Sequence, residues 1–289
     1  MIRTGMTRGA RYAPAGRTPP PAVLSRALRT RGLDEARVWD DLAARLNLHR
    51  ALRDNVEAIV HYALTEMLNN AIEHSESDRC SVRLRLESGR VTFEVRDPGI
   101  GAFHSIATKL RLGDEETAMI ELLKGRTTTM REAHTGEGIF FTSRVADRFL
   151  LRSHRIRVEW NRAREDVFVS KQRYLRGTTA QFEVQRSARQ RLEHVFNEYA
   201  PAEFDFQFRK TKVYVKLLRA DYVSRSEARR LLANLEKFGD IRLDFRGVKS
   251  VGQGFADEIF RVFADRHPGI KISVENADPV ISAMIRHVS

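Results

Sequence analysis

Apolar residues recur at helical spacing along "RDNVEAIVHYALTEMLNNAIEHS", through Val56, Ile59, Val60, Ala63 and Met67, which predicts one long helix. The preceding "GLDEARVWDDLAARLNL" reads as a second helix, with acids in the first turn where the helix dipole favours them. "SVRLRLESGRVTFEVRD" alternates instead. Val82, Leu84 and Leu86 face one way, Ser88 and Gly89 turn the chain, and Val91, Phe93 and Val95 continue on a second strand, so a hairpin is expected. Residues 102–135 read as irregular, and a helix is expected from about 138 to 148. Strand patterns follow in "RFLLRS", "RIRVEW", "DVFVSK" and "RGTTAQFEVQ". Helices first and an antiparallel sheet after them predict an α/β (α+β) sandwich with helices on one face.

After about residue 186 the texture changes. "KVYVKLL", "SRSEARRLLANLEKF", "DIRLDFRGV", "GFADEIFRVFADRHP", "IKISVENA" and "PVISAMIRHV" alternate strand and helix, the pattern of a small βαβα unit with a partly parallel sheet. "GRTPPPA" (16–22) reads as a linker, because consecutive prolines neither continue a helix nor pair in a central strand. The expected organisation is a basic arm (1–32), a first domain (33–186) and a second domain (205–289).

The net charge of +12 suits nucleic acid or an acidic protein partner, though an Arg-rich solvated surface accounts for it equally. The only concentrated basic block is residues 1–31, with seven Arg and no acid, read as a disordered arm in preference to a DNA contact. No run of about 18 apolar residues is present, so no membrane span is expected. The single cysteine, Cys80, excludes an internal disulfide and makes a reducing cytoplasm the simplest location; on a strand pattern it reads as a core residue.

Three stretches carry candidate chemistry. In "TEMLNNAIEHS", Glu66, Asn70 and Glu73 fall within roughly 60° of one another and continue the stripe of Ile59 and Ala63. An oxygen ligand such as that of Asn70 suits Mg²⁺, and Glu66, one turn earlier, suits a general base; a solvent-exposed polar face is the plainer alternative. In "VRDPGIG", Asp97 shares parity with Val91, Phe93 and Val95, so its carboxylate faces the buried side and suits an exocyclic amine. Gly99 and Gly101 permit close backbone approach, and a simple Asp-Pro-Gly turn is the alternative. In "HTGEGIFFTSRVAD", Gly136 and Gly138 open a helix of the kind that receives phosphate at its N-terminus. Upstream, "KGRTTTMREAHT" offers Lys124, Arg126, Thr127 to Thr129 and His134 on a lid-like segment.

The order of these elements, with "GTT" on a last strand, resembles the Bergerat-fold (GHKL, histidine kinase-like) ATPases over about residues 50–186. The resemblance implies a Bergerat-type α/β sandwich with an ATP lid, and ATP with Mg²⁺ as ligands. It assigns Asn70 to Mg²⁺, Glu66 to the general base, and Asp97 to adenine with Gly99 and Gly101 beside it. Lys124, Thr135, Gly136 and Gly138 fall to the phosphates, and Thr178 or Thr179 to the threonine near adenine. The remainder looks like the STAS-like domain that follows such ATPase domains in bacterial regulators. "SVGQGFAD" has no serine where the related anti-sigma-factor antagonists carry a phosphoacceptor; Ser250 is near but shifted. "TRGARYAPA" (7–15) resembles the closing strand of a winged helix, which implies lost DNA-binding helices or an internal start.

Two functions are therefore expected. One is an ATP/Mg-binding regulator that acts as a serine/threonine kinase on a protein partner, a regulator or antagonist. The other is a non-catalytic ATP-gated switch coupled to transcription or DNA binding. No H-box follows His49 or His61, which argues against a self-phosphorylating sensor kinase. Homodimerisation is left open by the sequence.

Overall fold

A computed structural model describes residues 2–4, 11–13, 21–125, 137–200, 209–217 and 221–288. The chain divides into two compact units, residues 1–119 with 127–195, and residues 120–126 with 196–289.

The first unit is a five-stranded antiparallel sheet with helices against one face. Strand β1 (Ala22–Arg29) pairs along its length with β2 (Arg79–Leu86). Helices α1 (Glu35–Leu46) and α2 (Asp54–Glu73) lie between them in sequence. The hairpin partner of β2 is β3 (Arg90–Asp97), followed by α3 (Ala102–Lys109), α4 (Glu115–Lys124), α5 (Glu137–Val145), β4 (Arg148–Asn161) and β5 (Asp166–Gln185). The strand order is β1-β2-β3-β5-β4. The expected hairpin and the apolar stripe of α2 are both present; Val56, Ile59, Val60, Ala63 and Met67 are buried, and α2 packs on β3 and α5. Beneath the sheet Phe93 and Phe182, paired across β3 and β5, stack with ring centroids 4.9 Å apart.

Three expectations are corrected. Residues 22–29, assigned to the arm, form the edge strand β1: "AVLSRALR" alternates, but its outward Val23 and Ala27 obscure the polar face. The stretch 102–135 is not irregular throughout, since it holds α3 and α4. Phe103, Ile106 and Ala107, then Ala118, Met119, Leu122 and Leu123, are their buried faces. The four late strand patterns are two long strands; "RFLLRS" and "RIRVEW" join through a bulge at Ser153/His154, where His154 takes φ 50°. Cys80 is buried in β2 as expected, and burial pushes its thiol up to about 11, which keeps it protonated and unreactive.

In the second unit β6 (Lys210–Tyr214), β7 (Asp240–Asp244) and β8 (Lys271–Glu275) form a parallel sheet in the order β8-β7-β6. Helix α7 (Arg225–Leu232) starts with a capping box of Ser224 and Glu227. Helix α8 (Gln253–Asp257) continues through a π-helical segment (Glu258–Phe263), and α9 (Pro279–Val288) follows. Between the units in sequence lies α6 (Leu192–Tyr199).

Candidate functional site

The site is built where the C-terminal half of α2, the end of β3 and the start of α3 meet. The alternation that buries Val91, Phe93 and Val95 carries Asp97 inward, where it is 5% exposed. The carboxylate accepts from the Gly99 N–H at 3.0 Å and from the backbone N–H and hydroxyl of Thr178, its neighbour across the ladder. Thr178 Oγ1 in turn accepts from Ala102 N at 2.9 Å, which fixes the first turn of α3. Burial nevertheless raises the Asp97 carboxyl above its ordinary range, outweighing those hydrogen bonds.

The turn after Asp97 depends on glycine. A Cβ on Gly99 would stand 1.9 Å from the Ser75 carbonyl oxygen, and that carbonyl accepts from Ile100 N at 2.8 Å. Gly177 has φ +81°, and a Cβ there would stand 2.0 Å from the Asp97 carbonyl oxygen. The strand end and the α2 terminus are thus clamped together by backbone contacts that admit no side chain. Gly101, at φ +86°, starts α3 against Ser153 and His154.

Around this clamp is a small cavity of about 30 Å³, lined by Met67, Asn70, His74, Asp97, Ser105 and Thr178 among others. Asn70 Nδ2 donates to the Glu66 carbonyl at 2.9 Å, which turns its Oδ1 away from the helix axis. His74 accepts at Nδ1 from Lys109 Nζ at 2.8 Å; burial first, and the Lys109 charge second, lower its pKa and keep it neutral. Ser105 is 2% exposed, and its hydroxyl has no hydrogen-bond partner among the described residues. An orphaned buried hydroxyl costs about 1–3 kcal/mol, so a polar ligand in the cavity is the expected compensation.

Glu66 lies one turn before Asn70 on α2. Its Oε2 occupies the space above Gly138, where a Cβ would be 1.9 Å away, so α2 and the start of α5 approach closely only because residue 138 is glycine. Burial, reinforced by the carboxylates of Glu66 and Glu137, raises the Tyr62 pKa, so the phenol beside them stays protonated.

The sequence-derived candidates separate accordingly. Asn70, Asp97 and Thr178 share one cavity; Gly99 and Gly101 do not line it but stand in the turn between Asp97 and α3, and Glu66 lies against Gly138 at one end of α5. Thr179 does not join them: the strand alternation turns it to the opposite face of the sheet, beside Arg96 and Arg152. Glu73 is exposed. Lys124 belongs to the other unit, 3% exposed, with Nζ bonded to Glu121 Oε1 at 2.8 Å and to the Ala233 carbonyl at 2.9 Å. Its ammonium is committed there, so the phosphate role is withdrawn. Arg126, Thr127 to Thr129, His134, Thr135 and Gly136 lie outside the described residues. The sequence reading missed Ser75, His74, Ser105 and Gly177. Nothing local marks Ser105 or His74, whereas Gly177 directly before Thr178 was a visible turn signal.

Comparison with known families matches residues 21–160 to the histidine kinase-like ATPase domain. The chain carries a histidine kinase-like ATPase domain. Residues 227–281 match a STAS-like domain of unknown function, in the order expected. No curated protein matches the chain. An ATPase domain of this kind implies ATP binding, and the cavity offers a polar ligand a buried carboxylate acceptor and an unpartnered hydroxyl. In the STAS-like domain Ser250 is exposed on a two-residue strand, three residues before α8 begins at Gln253. Among the described residues no helix is long and apolar enough to cross a membrane, and no cluster of His, Cys, Asp or Glu forms a metal site.

Proposed function

We propose that the ATPase domain binds ATP with Mg²⁺ and transfers its terminal phosphoryl group to a hydroxyl-bearing acceptor on a protein partner. The convergence of Asn70, Asp97, Ser105 and Thr178 on one cavity carries the reading. Asp97 would accept from the exocyclic amine of adenine, Thr178 would hold that carboxylate in place, and Ser105 would supply a further polar contact. Asn70 Oδ1 would hold the metal, whose contribution is to neutralise phosphate charge. Glu66, on the same face one turn away, would accept the acceptor hydroxyl's proton. The α5 N-terminus at Gly138 offers backbone N–H groups to phosphate.

Transfer is tested with labelled ATP, co-purified partners and Glu66→Ala. Loss of labelling by at least ~100-fold with nucleotide affinity preserved supports Glu66 as the base. Undiminished labelling in the variant contradicts it.

A second reading, a nucleotide-gated switch without turnover, is favoured by helix α4. Its first half belongs to the ATPase unit, with Glu115 2.7 Å from His154 Nδ1. Its second half is built into the other unit through Lys124 and Thr211, whose hydroxyl donates to the Lys124 carbonyl at 2.5 Å. Under this reading the wild type binds ATP, labels nothing, and changes its hydrogen-exchange protection in 209–288 on binding.

A further inference from the structure

The helices cover one face of the ATPase sheet and leave the other to solvent. On that open face the outward residues fall in rows across the ladder: Arg85 beside Thr92 and Glu183, Arg83 beside Glu94 and Gln181, Ser81 beside Arg96 and Thr179. On the far strand Arg148, Leu150 and Arg152 continue these rows. Two clefts on this face share Glu94, Arg148, Leu150 and Gln181, so they form one furrow running across β2, β3, β5 and β4. Arg83, Arg85, Arg96, Arg148, Arg152 and Arg157 line it.

Much of the counter-charge on this face is already engaged. Glu159 is held by Arg148 at 2.7 Å and Arg157 at 2.6 Å, Glu183 by Arg90 at 3.4 Å, and Glu94 accepts from Gln181 at 2.7 Å. Arg96 is exposed with no partner among the described residues. Arg83 is exposed too and donates only to the Ser25 hydroxyl, at 3.3 Å. Arg152 donates one terminal nitrogen to the Arg173 carbonyl, and its buried Nε has no acceptor. Guanidinium groups short of carboxylates on a polar, open furrow point to an anionic partner with repeated acceptors.

We propose that this face of the sheet binds the phosphate backbone of duplex DNA independently of sequence. Two features favour a duplex over other polyanions. None of the residues in these three rows is aromatic, and the outward Phe168, opposite Glu159, lies under the Arg164 guanidinium 5.5 Å from its centroid, so a row of stacking platforms for a single strand is missing. The arginines are spread across four strands, as a wide duplex backbone requires, and their guanidinium forks match phosphate oxygens. This surface is separate from the nucleotide cavity, which opens on the helix side, and from the basic block at residues 1–31.

The test is fluorescence anisotropy of the full chain with a random-sequence DNA duplex over a salt series, beside the corresponding single strand and polyglutamate. Wild type is compared with Arg83→Ser/Arg85→Ser/Arg96→Ser, three exposed positions outside the nucleotide site, and with the triple Lys variant. The expected result is duplex binding that falls steeply with salt. In the Ser variant the slope of log K against log salt drops by about 2 to 3, while the Lys variant retains it. Melting temperature and ADP affinity of the Ser variant stay at wild-type values. Absence of duplex binding at low salt, an unchanged slope in the Ser variant, or preference for the single strand or polyglutamate overturns the proposal.

Discussion

The surroundings of Asp97 disfavour its ionised form, and that tension makes its role measurable. Its carboxyl pKa is raised by burial, so the folded state binds a proton more readily than the unfolded chain does. Stability without nucleotide therefore decreases as pH rises through that raised pKa, and the desolvated charge is a standing cost above it. Asp97→Asn should leave the nucleotide-free melting temperature unchanged or higher while abolishing the shift produced by ADP; a lower nucleotide-free melting temperature would assign Asp97 a structural role. In the wild type, ADP affinity should weaken as pH falls through that raised pKa, above the ordinary carboxylate range. Ser105→Ala tests the orphaned hydroxyl. Folding stability should not fall, because no hydrogen bond is lost, whereas ADP affinity should drop by about 0.5–1.5 kcal/mol in calorimetry. At Gly177 the expectation is different in kind: Ala would meet both a positive φ and the Asp97 carbonyl, so Gly177→Ala should destabilise by about 2 kcal/mol or more in urea unfolding.

At the scale of elements, α4 separates what the chain shows locally from what only folding reveals. Lys124 sits among phosphate-friendly residues in sequence, yet its ammonium is buried with Glu121, which Asn234 also contacts at 3.1 Å. Breaking such a buried pair from one side costs about 3–5 kcal/mol. Lys124→Met should therefore lower hydrogen-exchange protection in 209–288 and leave ADP affinity within about twofold; a large affinity loss would restore the phosphate role. Patterns of strict period were legible from sequence. The α2 stripe, the β2–β3 hairpin and the inward parity of Asp97 all follow from spacing of 3.6 or 2. The edge strand β1 was not, because Val23 and Ala27 on its outward side blur the alternation. Helices α3 and α4 were overlooked because each is short and starts from a loop residue. Thr178 and Thr179 are adjacent, and only the register against Asp97 tells which of them enters the cavity. His74 caps the C-terminus of α2 while Ser105 lies in α3, and no local rule joins them.

For the molecule as a whole, the two surfaces of the same sheet carry different features. The helix-covered side holds the cavity proposed for the nucleotide, and the open side carries the arginine furrow. The excess of basic residues, which composition alone left between a DNA partner and a solvated surface, thereby acquires a location. The STAS-like domain contributes a parallel sheet and a buried Asp244, to which Lys212 binds at 3.0 Å. Burial opposes the Asp244 carboxylate, but hydrogen bonds from the Arg246 N–H, the Asn276 amide and Lys212 outweigh it and hold the carboxyl below its usual value, so they add stability that is lost as pH falls through that lowered pKa. The nucleotide site decides the account. Calorimetric titration of ADP with Mg²⁺ into the wild type and into Asp97→Asn should give a saturable one-site isotherm for the first and no measurable heat of binding for the second. Equal affinity for the two proteins would contradict the convergence of α2, β3 and α5 on one purine nucleotide.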